Sequence, residues 1–145
     1  MSDQATPGPG RSGALAVLAV LVGGAAGSSL RLSSDLLLPH GADAFPLGTL
    51  LINIVGSLAL GFLAALVWPT APGWLRAGLG PGLLGSFTTF SAIAVSVVQL
   101  AKLDAVPLAL AYLAATLAGG LAAAALGIRL GSGGRTRVPE IGADA

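Results

Sequence analysis

The sequence predicts an all-α integral membrane protein with four transmembrane helices, and its sparse, widely spaced charges carry this prediction. The 145-residue chain has seven Lys or Arg and six Asp or Glu, so 9% of its residues are charged. Soluble domains carry roughly a quarter charged residues. Hydrophobic residues make up 54% of the chain, which leaves too few charges to cover a soluble surface. This composition excludes a soluble globular enzyme and a disordered chain.

The charged residues delimit four apolar stretches. The uncharged stretches comprise 19, 32, 25 and 24 residues, at positions 12–30, 44–75, 77–101 and 105–128. A helix needs roughly 20 apolar residues to cross a bilayer, so each stretch holds one span. Pro69 and Pro72 shorten the second stretch, and Trp68 and Trp74 beside them suit the membrane–water boundary. The predicted spans are residues 14–32, 46–67, 74–101 and 105–130.

The two ends of the chain are predicted to lie outside a membrane domain of residues 13–131. Residues 1–12 and 132–145 are polar and rich in glycine and proline, which predicts disordered tails. With four spans, both termini and the middle loop share one side of the membrane. That side carries five Lys or Arg against two on the other side. We therefore expect a multi-pass protein of the plasma membrane with cytoplasmic termini.

The third span departs from a regular helix. Residues 78–91 read GLGPGLLGSFTTFS, and five glycine or proline residues fall within the first eight of these positions. Such residues disfavour a regular helix. A break at membrane depth must be buried in protein or line a polar cavity, and transporters use broken helices to coordinate ions. A kink without function is the alternative, which explains Pro81 but not the run from Phe87 to Ser91.

The polar side chains within the predicted spans are neutral. They are Asn53, Ser57, Ser86, Thr88, Thr89, Ser91, Ser96, Gln99, Tyr112 and Thr116. Neutral amides and hydroxyls replace the hydration of a small ion without trapping it, which favours conduction, although Asn53 alone suits interhelical hydrogen bonding equally well. A proton-coupled carrier needs a carboxylate or histidine at this depth, and the only histidine, His40, lies in the first loop. A net charge of +1 without a basic face excludes nucleic-acid binding.

Three motifs together resemble the CrcB/Fluc family of fluoride channels. They are GGAAGSSLR at 23–31, GTLLINIVGSLALG at 48–61 and GSFTTFS at 85–91, within a likeness that covers about residues 20–130. The resemblance implies a passive channel, not an enzyme, through which fluoride leaves the cytoplasm. It also implies an antiparallel, dual-topology dimer with two pores, in which the third helix of each subunit is broken near its middle.

The resemblance assigns candidate site residues as well. The implied pore positions are Asn53, Phe90, Ser91, Ile93, Tyr112 and Thr116. Aromatic rings of the third span are expected to turn their electropositive edges toward the anion. A sodium ion at the dimer interface is implied, held by the backbone carbonyls of Gly85 and Thr88. Arg31 matches the arginine that follows the first span in the family, and an interfacial side chain is the alternative role for it.

The chain departs from the family pattern at one pore position. The family reads TTFSTFS followed by an acidic residue, whereas this chain reads TTFSAIAVS. Ile93 therefore replaces the second phenylalanine, and Ser96 stands where the acid is common. Two assemblies stay open: a homodimer with altered conduction, or a heterodimer with a paralogous four-span subunit in which this chain conducts partly or not at all.

The asymmetry of Lys and Arg favours the heterodimer, because a dual-topology homodimer should have almost no such bias. A small multidrug-type exporter is a further alternative with four spans. That mechanism needs a glutamate in the first span, and residues 14–30 contain none.

Overall fold

The computed structural model describes residues 11–38 and 44–133, and the regular elements within these ranges are all helical. Four segments are long and apolar enough to cross a membrane: Ser12–Leu37, Leu47–Leu66, Gly73–Lys102 and Val106–Gly131. The prediction of an all-helical chain with four membrane-crossing segments is thereby confirmed. The span limits within the bilayer stay a prediction. His40 and most of both predicted tails lie outside the described residues.

Two long helices begin the fold. Helix α1 spans Arg11–Leu37 and α2 spans Leu47–Leu66. Helix α1 includes Arg11 and Ser12, which the sequence placed in the N-terminal tail, and it continues beyond the predicted end of the first span. The serines in the C-terminal half of α1 do not interrupt the helix. The hydroxyls of Ser29 and Ser34 each donate to the carbonyl four residues earlier.

The third membrane-crossing segment, Gly73–Lys102, is here called the third span. It consists of α3 (Gly73–Ala77), a π-helix (Gly78–Leu84), α4 (Gly85–Phe87), three non-helical residues and α5 (Ser91–Lys102). The break falls at residues 88–90, where Thr88 is extended with φ −80° and ψ 160°.

The Gly/Pro-rich sequence that suggested the break forms the π-helix instead. Pro81 lies inside it, and the Gly85 N–H at its end donates to the Gly80 carbonyl five residues earlier. A π-helix is wider than an α-helix and is found frequently at functional sites. The irregularity predicted for the third span is therefore present, but its open part lies after the glycines and not among them.

Close backbone contacts at glycines join the helices in pairs. On α1, a side-chain carbon at Gly23 or Gly27 would collide with the carbonyl oxygens of Gly78 or Leu83 in the third span. Helix α6 spans Val106–Gly131 and packs on α2 in the same way, with Gly127 against the carbonyl of Leu58. Small residues permit this approach between membrane helices.

Candidate functional site

The break in the third span is held by the side chain of Asn53 from α2. Its Nδ2 donates to the Thr89 carbonyl at 3.0 Å, and its Oδ1 accepts from the Thr89 N–H at 2.8 Å. Asn53 is 8% exposed. A lipid bilayer offers no partner to free backbone groups. One amide side chain therefore satisfies the donor and the acceptor of the central residue of the break.

The side chain of Thr89 starts the next helix. Its Oγ1 accepts from the Ala92 N–H at 3.2 Å and lies 3.0 Å from Ser91 Oγ. A hydroxyl that accepts from the first free N–H groups of a helix stabilises its start. On the other side of the break, the Thr88 hydroxyl donates to the Leu84 carbonyl at 2.8 Å. The break is thus a fixed, hydrogen-bonded structure.

These hydrogen bonds redirect two backbone donors. In a continuous helix, the N–H of Thr89 would donate to the carbonyl of Gly85, and the N–H of Ala92 to that of Thr88. Here the first N–H is donated to Asn53 and the second to the Thr89 hydroxyl. The carbonyls of Gly85 and Thr88 therefore lose the partners of a regular helix. They are the two carbonyls to which the family resemblance assigned a cation.

A cavity of about 700 Å³ lies beside the break, between α2, the third span and α6. We call it the break cavity. Its described lining residues carry no charge. This agrees with the expectation that the polar side chains within the spans are neutral. Six of the sequence-predicted site residues meet there: Asn53, Gly85, Thr88, Phe90, Ile93 and Thr116.

Phe90 and Ile93 line the break cavity in different ways. The Phe90 side chain is 73% exposed, whereas Ile93 is 6% exposed and belongs to the core. Phe90 therefore presents its ring outside the packed interior of the subunit. The aliphatic side chain that replaces the second phenylalanine of the family pattern fills space within the subunit.

Tyr112 lies next to this cavity in the interior. It is fully buried, and within the described residues its hydroxyl has no partner with hydrogen-bond geometry. The side chains of Thr49, Ser96 and Thr116 surround that hydroxyl. Tyr112 and these three residues are here called the hydroxyl cluster. The Phe45 ring packs edge-to-face on the Tyr112 ring, with centroids 5.4 Å apart. A buried hydroxyl normally finds a partner, so this cluster holds unused hydrogen-bonding capacity.

A second cavity of about 400 Å³ lies on the other side of the hydroxyl cluster. We call it the arginine cavity, and it is lined by Arg31, Asp35, Thr49, Ala92, Val95, Ser96 and Gln99. It shares Thr49 and Ser96 with the hydroxyl cluster, and the break cavity shares Thr116 with it. A short row of buried, neutral hydroxyls therefore links the two cavities.

Three predicted site residues lie outside the break cavity. Ser91 is exposed at the start of α5, Tyr112 belongs to the hydroxyl cluster, and Arg31 lines the arginine cavity. Thr49 and Thr89 belong to the site but were not predicted from the sequence. Thr49 precedes Asn53 by one helical turn and so shares its face, which was an available signal. Asn53 pairs with the backbone of Thr89, and the identity of the Thr89 side chain gives no indication of that pairing.

Comparison with known proteins agrees with the motif resemblance. Residues 18–128 match the family described as CrcB-like protein, Camphor Resistance (CrcB). A relative from Paracoccus denitrificans named fluoride-specific ion channel FluC is 40% identical over 116 residues, covering 80% of this chain and 94% of that protein. A relative of the same name from Pseudomonas putida is 42% identical over 117 residues, 79% of this chain and 94% of its own length.

A third relative is named fluoride-specific ion channel FluC 2. It comes from Halalkalibacterium halodurans and is 43% identical over 123 residues, which are 83% of this chain and 89% of that protein. The family match reaches into all four membrane-crossing segments, and the relatives align over most of their own length. The chain belongs to the CrcB-like family.

Proposed function

We propose that this chain is a subunit of a passive fluoride channel that lets fluoride leave the cytoplasm and so lowers its toxicity. The observation that carries the proposal is the row of buried, neutral hydroxyls between the two cavities. The names of the relatives support fluoride as the ion. They describe ion channels and not enzymes.

The chemistry of the hydroxyl cluster suits a small anion. The Thr116 hydroxyl donates to the Tyr112 carbonyl at 2.8 Å, so its proton is already used. The Tyr112 hydroxyl has no partner of hydrogen-bond geometry within the described residues, and the side chains of Thr49 and Ser96 lie beside it. Each hydroxyl supplies one donor, so these three can replace part of the hydration shell of fluoride. No fixed positive charge stands in the cluster to trap the ion.

The driving force follows from acid–base chemistry. Hydrogen fluoride crosses membranes as a neutral molecule and ionises at near-neutral pH inside the cell, where fluoride accumulates. The membrane potential is negative inside, so it favours the movement of an anion out of the cell by roughly 2.3 kcal/mol for each 100 mV. A selective pathway therefore empties the cell of fluoride without an energy-coupling step.

Asn53 has two roles in this proposal. One Nδ2 proton and the Oδ1 acceptor hold Thr89 at the break. An amide nitrogen carries two protons, so Asn53, which lines the break cavity, keeps a second donor. The exposed ring of Phe90 lies in the same cavity, and its electropositive edge suits an anion. Asn53 and Phe90 thus continue the pathway from the hydroxyl cluster into the break cavity.

The proposed assembly is an antiparallel, dual-topology dimer with a sodium ion at its interface. The exposed Phe90 ring and the exposed Gly85 support an interface at the break. The carbonyls of Gly85 and Thr88 have lost their helical donors, and neutral carbonyl oxygens are suitable hard ligands for sodium. Bound there, the cation would offset the negative partial charges of carbonyls from two facing breaks.

A heterodimer with a paralogous four-span subunit is the alternative assembly. Two relatives carry the number 2 in their names, which supports paralogous subunits as partners. The bias of Lys and Arg also supports a preferred orientation, with cytoplasmic termini. The family match and the names of the relatives favour a conducting subunit over a silent partner and over a small multidrug-type exporter.

Fluoride release from liposomes tests the function and the assembly together. The purified chain is reconstituted alone into vesicles loaded with potassium fluoride, valinomycin is added, and a fluoride electrode records the release. We expect fast fluoride release and none of chloride from matched vesicles. Release by the chain alone overturns the requirement for a second subunit. Silence of a monodisperse chain, alone and with a paralogue, contradicts the proposed function.

A further inference from the structure

The arginine cavity differs from the break cavity because it carries charge. Arg31 and Asp35 lie one turn apart on α1, and both line this cavity, whose other described lining residues are uncharged. Their side chains are 28% and 49% exposed. The inner wall is formed by Thr49 and Ser96 of the hydroxyl cluster. An anion that enters the cluster from this end meets one cation and one carboxylate first.

The contact between the two charges is loose. Arg31 Nε lies 3.9 Å from Asp35 Oδ2, which is longer than a hydrogen bond. Within the described residues, the guanidinium makes no hydrogen bond. A guanidinium carries five N–H donors, and partly exposed ion pairs are weak. Arg31 can therefore accept a second anion, and Asp35 stands beside it as a competitor.

We propose that Asp35 is a displaceable counter-charge that competes with entering fluoride for Arg31 and so sets how tightly the mouth of the pathway holds the ion. The inference rests on the proposed function. Fast conduction requires that an ion enters a site and also leaves it. A lone guanidinium at the mouth would attract fluoride and retain it. The neighbouring carboxylate lowers this retention, because it occupies the guanidinium whenever the anion moves on.

The proposal identifies Asp35 as a positioning residue that acts through Arg31. Removing its charge should tighten the binding of fluoride at the mouth without creating a new pathway. Partly exposed ion pairs contribute little, so the expected decrease in the half-saturating fluoride concentration is about two- to fivefold. The maximal flux should stay the same or fall, since a more tightly held ion leaves more slowly. A general loss of folding would instead lower the flux at every concentration.

The test uses the full chain in liposomes at constant pH, with fluoride flux measured over a range of fluoride concentrations. Asp35→Asn should lower the half-saturating concentration, and Asp35→Glu, which keeps the charge, should restore the wild-type value. Asp104→Asn is the matched control. It removes the same charge next to the C-terminal end of α5, outside the arginine cavity, and the left-handed backbone of Asp104 (φ 57°) suits asparagine. This control should behave as the wild type.

A double variant shows whether Asp35 acts through Arg31. In the Arg31→Gln background, Asp35→Asn should produce no further decrease, because the guanidinium for which the two anions compete is gone. An equal shift in that background overturns the proposal, as does an Asp35→Asn variant with the half-saturation of the wild type. A shift shared with Asp104→Asn also overturns it, since that result indicates a general surface-charge effect.

A second measurement separates this proposal from the proposed function. Fluoride that binds the folded chain raises its unfolding midpoint in detergent, and this shift does not require conduction. If the wild type conducts no fluoride, the function fails, and the concentration dependence of the midpoint still compares the variants. A decrease of the half-maximal concentration in Asp35→Asn supports the counter-charge. An unchanged value contradicts it.

Discussion

The two flanks of the third span pack against their neighbouring helices in different ways. On the α1 flank, the carbonyls of Gly78 and Leu83 lie directly against the glycines of α1. No side-chain hydrogen bond joins these elements within the described residues. On the opposite flank, Asn53 of α2 forms two hydrogen bonds with Thr89. The first flank depends on shape and the second on polar pairing.

The difference indicates which flank carries the ion. At Gly23 and Gly27 the α1 flank has no space, because a single added carbon would collide with backbone. The opposite flank borders the break cavity and the hydroxyl cluster, where the Tyr112 hydroxyl has no partner within the described part of the chain. Unused donors in a buried site are expensive for folding. We infer that the α1 flank fixes the span and that the polar flank keeps donors for the anion.

The largest expected effect comes from removing the polar pairing. Asn53→Ala leaves the N–H and the carbonyl of Thr89 without partners, and each such group costs about 1–3 kcal/mol. We expect a strongly lowered unfolding midpoint of the purified protein and loss of fluoride release from liposomes. We expect this one side chain to contribute more to the stability of the break than any single contact on the α1 flank.

Ser57→Ala is the matched control for stability in that experiment. Ser57 lies one turn later on α2, and its hydroxyl makes no hydrogen bond within the described residues. Its replacement should change the free energy of unfolding by less than about 0.5 kcal/mol. Equal midpoints for Asn53→Ala and Ser57→Ala would show that the amide does not hold the break.

A smaller effect is expected on the α1 flank. Gly27→Ala places a methyl group against the Leu83 carbonyl and within 3.1 Å of the Phe87 nitrogen. Overpacking of this kind costs about 1–3 kcal/mol. Gly24→Ala is the control on the same helix, since its nearest contact would be the Ser86 hydroxyl at 3.4 Å. Thermal unfolding should separate the two variants, and equal stability would contradict the close packing inferred for this flank.

The general architecture could be predicted because it depends on solvent. Charges are excluded from a bilayer, so their spacing marked the helical segments without knowledge of any contact. The family resemblance then indicated six of the residues that line the break cavity. Gly85 and Thr88 belong to this group. Their carbonyls lack helical donors because two N–H groups are donated to side chains instead, which the sequence did not indicate.

The details of the third span could not be predicted because they depend on backbone pairing. Glycine and Pro81 indicated an irregular helix, but whether such residues break or widen it depends on contacts with neighbouring helices. The family resemblance likewise assigned both Phe90 and Ile93 to the pore, whereas one is exposed and the other buried. The pairing of Asn53 joins residues 36 positions apart, and only the folded chain brings them together.

The Tyr112→Phe variant tests whether the hydroxyl cluster conducts the anion. This substitution keeps the ring that packs on Phe45 and removes a hydroxyl that has no partner in the described chain. The free energy of unfolding should stay the same or rise, because the substitution removes a buried hydroxyl without a partner. The measurement is the rate of fluoride release from liposomes, with unfolding recorded on the same preparation. We predict a rate about tenfold lower, from the loss of one hydrogen bond to a charged group; an unchanged rate would contradict conduction through the cluster.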